Sequence, residues 1–298
     1  MALYPITFSI PEEKIITNLH AKIKIMSDLI PGNYSTYIYN TENDYYNEYR
    51  QSYFALTHLK SGWDCLRHYE ILANGCIPYF RDLENCPANT MALLPKDLML
   101  QGNQLYNKFN IKNINELTDD DIIEYNTLAK NLLDYTKLHL STYNMAKYIL
   151  EKSNHIHASK ILFLSSSTAP DYLRCLTLHG FKMLLGSNCH DYPRIPHIYK
   201  SDSIQYHTLY GKGFTYTNLL DSSLHDDNLD NTIEENIKNK YYDIIIYGYY
   251  HKSYPYYDII NTVYKPNEIL TLCGEDIHHC NYLDWLQKGH TIFVRELV

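Results

Sequence analysis

Three short apolar runs in the C-terminal half constrain the fold of this chain more than any other feature. They lie at 242–247 (YDIIIY), 268–273 (EILTLC) and 291–294 (TIFV). Runs of this length are typical of strands that are buried on both faces. The intervening segments 256–264 and 281–288 have a helical pattern, and Pro266 and Gly289 end them. Strands that alternate with helices predict a parallel sheet covered by helices on both faces.

The same alternation extends toward the N-terminus. Residues 160–165 (KILFLS) predict a strand, 171–179 a helix that ends at Gly180, and 181–185 the next strand. In the first half we predict strands at 4–9, 36–39, 52–57 and 77–80, and helices at 62–74 and 118–150. The sequence therefore predicts an α/β fold with a second set of elements before residue 150.

A polar segment, 151–159 (EKSNHIHAS), separates the two sets of elements. The length of 298 residues is sufficient for two domains with their own cores. We therefore predict two lobes, 1–152 and 153–298. In each lobe we expect a parallel sheet with helices on both faces.

Charge and cysteine content limit the classes of function. The chain has 26 basic and 34 acidic residues, a formal net charge of −8, which argues against a nucleic-acid-binding protein. Seven cysteines at irregular spacing fit reduced thiols in the cytoplasm better than a disulfide framework. The N-terminal stretch lacks the features of a signal peptide, and no apolar run approaches 18 residues, so we expect no transmembrane segment.

Tyrosine is unusually frequent, with 31 residues spread along the chain. Tyrosine rings can stack on sugars, which would indicate carbohydrate binding. Biased codon usage in an AT-rich genome explains the same excess without any function, and the even distribution favours this second interpretation.

The segment 60–80 (KSGWDCLRHYEILANGCIPYF) carries the most chemistry. Ser61 and Asp64 have the spacing of a capping box, and a helix that starts there offers free N–H groups to a diphosphate. Lys60 and Arg67 could add charge-assisted contacts, and Glu70 could accept hydrogen bonds from ribose hydroxyls. Alternatively, this is an amphipathic helix whose polar residues, including His68, only pair on a solvated face.

The stretch RHYEILANGCIPYF resembles the donor-binding motif of GT-B-fold glycosyltransferases, in particular the exostosin-like and fucosyltransferase-like families. The matching residues are Glu70, Ala73, Gly75, Cys76, Ile77 and Pro78. Residues 52–87 also resemble glycosyltransferase-like proteins of microbes and large DNA viruses. The resemblance implies two Rossmann-like lobes, with a nucleotide-sugar bound to the first and an acceptor bound to the second.

This resemblance implies roles for individual residues. In such families the carboxylate, here Glu70, binds ribose, and the upstream basic residue, here Arg67, contacts phosphate. We expect the donor site to be formed by Lys60, Trp63, Asp64, Arg67, His68, Glu70, Gly75 and Pro78. The donor would be a UDP- or GDP-sugar, the acceptor a glycan, a lipid or a protein, and no separate cofactor is expected.

The order of the lobes departs from the usual GT-B layout, in which the donor-binding lobe is the C-terminal one. Here the donor-like motif at 60–80 precedes the strand–helix series at 160–295. The chain therefore resembles a circular permutation of the family. One continuous sheet without a cleft between two lobes would contradict this hypothesis.

Candidate catalytic residues follow strands of the second lobe, because parallel sheets bind ligands at the C-terminal ends of their strands. The loop 274–279 holds Glu275, Asp276 and His278, any of which could serve as the general base for an acceptor hydroxyl. His251 follows another strand. Alternatively, the two acids cap the next helix and His278 is a surface residue.

Two other patterns are weaker. The triplet Asp119–Asp121 has the spacing of a metal motif, but behind Thr118 it is better explained as a helix cap, and we expect no metal site. Residues 210–213 (YGKG) could approach a phosphate through the backbone, although a hairpin turn is the simpler interpretation. The rival hypothesis for the whole chain is a catalytically inert GT-B-like protein with a binding or structural role.

Overall fold

The computed structural model describes residues 2–249, 254–276 and 281–298. Within them, nine strands form two separate sheets in which every pair is parallel. The strands are β1 (Ala2–Pro5), β2 (Lys24–Met26), β3 (Ser52–Thr57), β4 (Ile77–Phe80), β5 (Ile161–Ser165), β6 (Cys189–Tyr192), β7 (Ile244–Tyr249), β8 (Ile269–Cys273) and β9 (Thr291–Val294).

The helices are α1 (Glu42–Arg50), α2 (Leu66–Ala73), α3 (Lys96–Phe109), α4 (Asp119–Tyr135), α5 (Thr142–Lys152), α6 (Tyr172–Leu185), α7 (Asp227–Asn231), α8 (Ile233–Lys238), α9 (Tyr257–Val263) and α10 (Leu283–Gln287). A π-helical turn, Thr136–Leu140, separates α4 from α5. The α/β class with two parallel sheets flanked by helices is confirmed.

The larger sheet has the order β1-β9-β8-β7-β5-β6 and is buried on both faces. Its apolar residues alternate between two core clusters: Ile161 and Phe163 pack with α5 and α6, whereas Leu162 and Leu164 pack with α8 and α9. Successive side chains of a strand point to opposite faces, so a strand covered on both sides must be apolar throughout. This is why the runs of the second half identify strands so clearly.

The smaller sheet has the order β2-β3-β4. In β3, Phe54 belongs to the main core with α3 and α4, and Ala55 packs on the other face against tyrosines of α1. The predicted strands at 52–57 and 77–80 have the predicted bounds. The predicted strand at 36–39 is wrong, because 34–36 is a 3₁₀ turn that starts at Asn33.

The first strand lies in the larger sheet rather than in the smaller one. Residues Ala2 to Pro5 pair with Thr291 to Val294 at the edge of that sheet. The chain thus begins in the sheet of the second half and then crosses to form the smaller one. The two sets of elements share strand partners, although the division at 152/153 stays a prediction.

Helix α6 corrects two predictions at once. Gly180 does not end the helix, and residues 181–185 continue it instead of forming a strand. A Cβ atom at Gly180 would lie 2.0 Å from the carbonyl oxygen of Thr142, so the glycine is required where α6 packs against α5. The glycine that suggested a helix end in the sequence is instead required for the close packing of two helices.

The cap of α4 is confirmed. Thr118 accepts a hydrogen bond from the N–H of Asp121, and the Asp121 carboxylate accepts one from the N–H of Thr118. Asp121 also forms ion pairs with Lys108 and Lys112. The aspartate triplet is explained by helix capping.

Two structural observations concern the predictions of reduced thiols and of no transmembrane segment. Among the described residues five cysteines are free, whereas Cys273 is disulfide-bonded, which the irregular cysteine spacing did not predict. Across the described residues, every helix is too short or too polar to cross a bilayer.

Candidate functional site

A cleft of about 800 Å³ lies between the two sheets. Its walls come from both halves of the chain. The first half contributes the segment from Lys60 to Glu70, and the second contributes the loops after β5 and β8, the 209–214 turn and Arg295. This position follows from the topology, since the C-terminal ends of β3, β5, β8 and β9 meet here. The volume is in the range of small-molecule sites.

Two cations of the cleft form no direct ion pair among the described residues. The Arg67 guanidinium on α2 lies 3.4 Å from the hydroxyls of Tyr37 and Thr57. The Lys60 ammonium lies 5.9 Å from the centroid of the Tyr34 ring. In the described part of the chain, neither side chain forms an ion pair with a carboxylate. Unpaired cations in a cleft attract anionic ligands.

Two backbone N–H groups just before α2 are already occupied. Here the sequence prediction is wrong: the helix begins at Leu66, and Cys65 rather than Ser61 is its N-cap. The N–H groups of Trp63 and Asp64 donate to the Glu296 carboxylate at 3.2 and 2.9 Å. A diphosphate in the cleft would therefore depend on the side chains of Lys60 and Arg67 more than on these N–H groups.

Glu70 lines the cleft but is only 6% exposed. Its carboxylate accepts hydrogen bonds from the hydroxyls of Tyr45 (2.7 Å) and Thr215 (2.5 Å). Burial raises the pKa of Glu70, and these two bonds together with Arg67 oppose that rise. The carboxylate thus already binds two hydroxyl groups, the same kind of donor that a ribose would present.

Asp64 does not cap the helix. Its carboxylate accepts hydrogen bonds from the Tyr69 hydroxyl and the N–H of Phe8, both at 2.8 Å. Burial raises the pKa of Asp64 to about 6, and the charge of Arg295 is the main opposing influence. Asp64 therefore fixes the floor of the cleft by joining the N-terminal segment to α2.

Arg295 is a residue that the sequence analysis did not identify. It is 2% exposed, donates to the carbonyl oxygen of Gly274 (2.9 Å) and forms ion pairs with Glu296 (2.8 Å) and Asp276. Its guanidinium also lies 4.7 Å from the centroid of the Phe8 ring. No local motif marks it, because its partners come from three distant segments.

Two of the three predicted catalytic residues line the cleft, and the third lies outside the described residues. Glu275 and Asp276 line the same cleft as Lys60 and Arg67. The Asp276 side chain is 46% exposed, so it can face a ligand while it pairs with Arg295. His278, and likewise His251, lies outside the described residues.

Four predicted donor-site residues do not line the cleft. His68 is buried between the Thr57 hydroxyl (3.0 Å) and the carbonyl oxygen of Trp63 (2.9 Å), and burial lowers its pKa to about 3. The Trp63 ring packs against Phe80. Gly75 follows α2 with φ +61°, and Pro78 is buried in β4. These residues hold α2 against the smaller sheet and do not reach a ligand.

Tyrosine side chains form much of the cleft wall. They are Tyr34, Tyr37, Tyr39, Tyr45, Tyr172 and Tyr210. The 210–213 segment is a pair of tight turns rather than a hairpin, with φ of +60° at Gly211 and +56° at Lys212. In the sequence, only the high tyrosine content indicated this wall. That count does not show which tyrosine rings lie together.

Fold and site together define a two-sheet α/β protein with a tyrosine-lined cleft between the sheets, in which basic and acidic side chains meet. No family model, curated protein or solved structure matches the chain. The arguments for a function therefore come from the residues of the cleft.

Proposed function

We propose that this protein is a glycosyltransferase that binds a nucleotide-sugar in the cleft between its two sheets. One observation carries the proposal. Lys60, Arg67 and Glu70 from the first half of the chain face the same cleft as Glu275 and Asp276 from the second half. The resemblance of residues 67–80 to a donor-binding motif is consistent with this arrangement, and the lobe order would then be the permuted one.

Each side chain has a role in this proposal. Lys60 and Arg67 bind the diphosphate and stabilise its charge as it leaves the anomeric carbon. Glu70 accepts hydrogen bonds from the ribose in exchange for those from Tyr45 and Thr215. Asp276 or Glu275 takes the proton of the acceptor hydroxyl as the new glycosidic bond forms.

A second candidate is a catalytically inert protein that binds a nucleotide or a sugar in the same cleft. In its favour, side chains of the protein already bind two carboxylates that the transferase proposal assigns to the ribose and to the acceptor hydroxyl. Glu70 is held by two hydroxyls, and Asp276 is paired with Arg295. The guanidinium of Arg295 therefore already occupies part of the carboxylate that would act as the base.

Thermal unfolding in the presence of UDP, GDP, ADP, CMP and their sugars tests donor binding. A ligand at 100 times its Kd stabilises the native state by about 2.7 kcal/mol, so the melting temperature rises with the matching nucleotide. We expect Arg67→Gln to abolish this rise. Arg81→Gln is the matched control because Arg81 is exposed and does not line the cleft.

A transfer assay with the selected donor separates the two candidates. We expect Asp276→Asn or Glu275→Gln to lose transfer and donor hydrolysis while the melting-temperature rise remains. Binding without any transfer or hydrolysis by the wild-type protein supports the inert candidate. If no nucleotide or nucleotide-sugar raises the melting temperature, the transferase proposal is wrong, and an inert protein that binds a sugar alone is the candidate that stays.

A further inference from the structure

A group of metal-ligand side chains lies at the edge of the larger sheet, outside the cleft. The loop 221–226 and helix α7 cover the edge strand β6 there. His225, Asp227 and Asp230 each present one ligand atom, and these atoms lie within 4.8 Å of one another. Along helix α6, the cleft residue Tyr172 and Lys182 beside this group are ten residues apart, about 15 Å.

Two of the three spacings in this group fit a small divalent ion. His225 Nε2 lies 3.1 Å from Asp230 Oδ2 and 3.4 Å from Asp227 Oδ1. A tetrahedral ion with bonds of about 2.0–2.1 Å holds its ligand atoms about 3.4 Å apart. The group therefore needs little rearrangement to close on an ion.

The histidine is held in the orientation that a metal ligand requires. His225 Nδ1 lies 3.0 Å from Asp191 Oδ1, so the carboxylate favours a proton on Nδ1 and leaves the Nε2 lone pair toward Asp227 and Asp230. Asp191 is fully buried and accepts hydrogen bonds from Lys182 and Tyr199, both at 2.7 Å. This chain of contacts fixes the ring before any ion binds.

Two further contacts fit the same interpretation. The second oxygen of Asp230, Oδ1, lies 2.7 Å from His190 Nε2, and His190 Nδ1 lies 2.6 Å from the Tyr242 hydroxyl. The second oxygen of Asp191, Oδ2, is buried and has no hydrogen-bond partner within the described chain. Asp230 is therefore held in place through one oxygen, while its other oxygen faces His225.

The carboxylates of the cluster differ in exposure and in their partners. Three carboxylates, those of Asp191, Asp227 and Asp230, face the single ammonium of Lys182. Asp191 is buried beside Lys182, whereas Asp230 is 26% exposed and Asp227 is 82% exposed. The two outer carboxylates are therefore open to solvent, and a divalent cation can reach them together with His225.

We propose that His225, Asp227 and Asp230 bind one divalent transition-metal ion, with water completing its coordination on the exposed side of Asp227. Asp227 is 82% exposed, so solvent reaches the site. Nitrogen and carboxylate ligands suit Zn²⁺ and Co²⁺. The ion fixes the 221–231 segment on strand β6 and has no part in the chemistry of the cleft.

Equilibrium dialysis of the EDTA-treated protein against ZnCl₂, with metal content measured by mass spectrometry, tests the site. We expect about one equivalent of Zn²⁺ and a higher melting temperature, because an ion bound only by the native state stabilises it. Co²⁺ should give visible absorption bands that report a nitrogen- and oxygen-ligated, low-coordinate ion. Neither readout depends on any enzymatic activity.

Asp227→Asn is the decisive variant. Asp227 is exposed at the start of α7, so its replacement leaves the buried network intact. We expect Zn²⁺ affinity to fall at least about tenfold, since even outer-shell partners of a metal contribute that much. Asp202→Asn and His207→Gln replace exposed residues of the same types elsewhere and should bind like wild type.

His225→Gln should remove binding altogether, with circular dichroism at low temperature as the check that the variant folds. The proposal is overturned if the wild-type protein binds no Zn²⁺. It is equally overturned if wild type, Asp227→Asn and His225→Gln bind the same amount.

Discussion

At the scale of single residues, the cleft depends on carboxylates whose environments differ. Asp64 is buried against the backbone of the N-terminal segment, whereas Asp276 is nearly half exposed and pairs with Arg295. Sequence spacing placed both acids near a ligand but could not distinguish a structural carboxylate from one that faces the cleft. Burial decides this, because desolvation penalises the charged form.

The raised pKa of Asp64 has a consequence for stability. The native state binds more protons than the unfolded chain between the ordinary pKa of 3.8 and the native value of about 6. Ionisation of Asp64 therefore lowers the free energy of unfolding as the pH rises through this window, by about 3 kcal/mol in total.

Asp64→Asn removes this titration. We expect the stability of the variant relative to wild type to increase from pH 4 to pH 7, whatever constant cost the lost hydrogen bonds add. Urea unfolding of both proteins at a series of pH values measures this difference. A difference that does not change with pH would show that Asp64 titrates at an ordinary pKa.

At the scale of elements, the contact between α5 and α6 positions the loop that enters the cleft. Helix α6 begins at the cleft with Tyr172, and its middle packs against α5 at Gly180. A close helix contact of this kind fixes the position of both ends of a rigid helix.

Gly180→Ala should destabilise the protein by about 1–3 kcal/mol or more, although alanine favours helix by about 1 kcal/mol in isolation. The added methyl group would meet the Thr142 carbonyl, so the helices must separate. Met183→Ala lies on the exposed side of the same helix and should change stability by less than about 0.5 kcal/mol. Thermal unfolding measures the stability of the wild type and both variants. A Gly180→Ala variant as stable as the wild type would contradict the close packing of α5 and α6.

At the scale of the whole molecule, the two sheets are joined across the cleft by buried polar contacts. The Thr215 hydroxyl lies 2.6 Å from the Tyr46 hydroxyl on α1 and donates to Glu70 on α2. At the far end, Glu296 accepts from the backbone of Trp63 and Asp64. These contacts fix the positions of Lys60 and Arg67 relative to Glu275 and Asp276 in the cleft.

Thr215→Val tests this junction because it removes only the hydroxyl. The change leaves Tyr46 and Glu70 with unsatisfied buried groups, which costs about 1–3 kcal/mol. We expect a lower denaturation midpoint with an unchanged denaturant dependence. Thr208→Val, at an exposed position in the neighbouring turn, should behave like wild type; a similar loss in both variants would show that the junction has no special role.

Local sequence was sufficient for most of the elements and for part of the site. Strands buried on both faces are continuous apolar runs, so β3, β4, β5, β7, β8 and β9 could be predicted within two residues at most ends. The helix before β4 and the acids after β8 were predicted in the same way, and both border the cleft. Short-range periodicity and the parallel-sheet rule carry this information.

Only the tertiary structure decided the rest. It placed β1 beside β9 and continued α6 through Gly180. It also removed His68 and Trp63 from the cleft, brought Arg295 into it and placed the Thr215 hydroxyl on Glu70. It also assembled His225, Asp227 and Asp230 beside Asp191 and His190. These outcomes depend on contacts between segments far apart in the chain, where burial and charge compensation select the partners, and no local pattern records them.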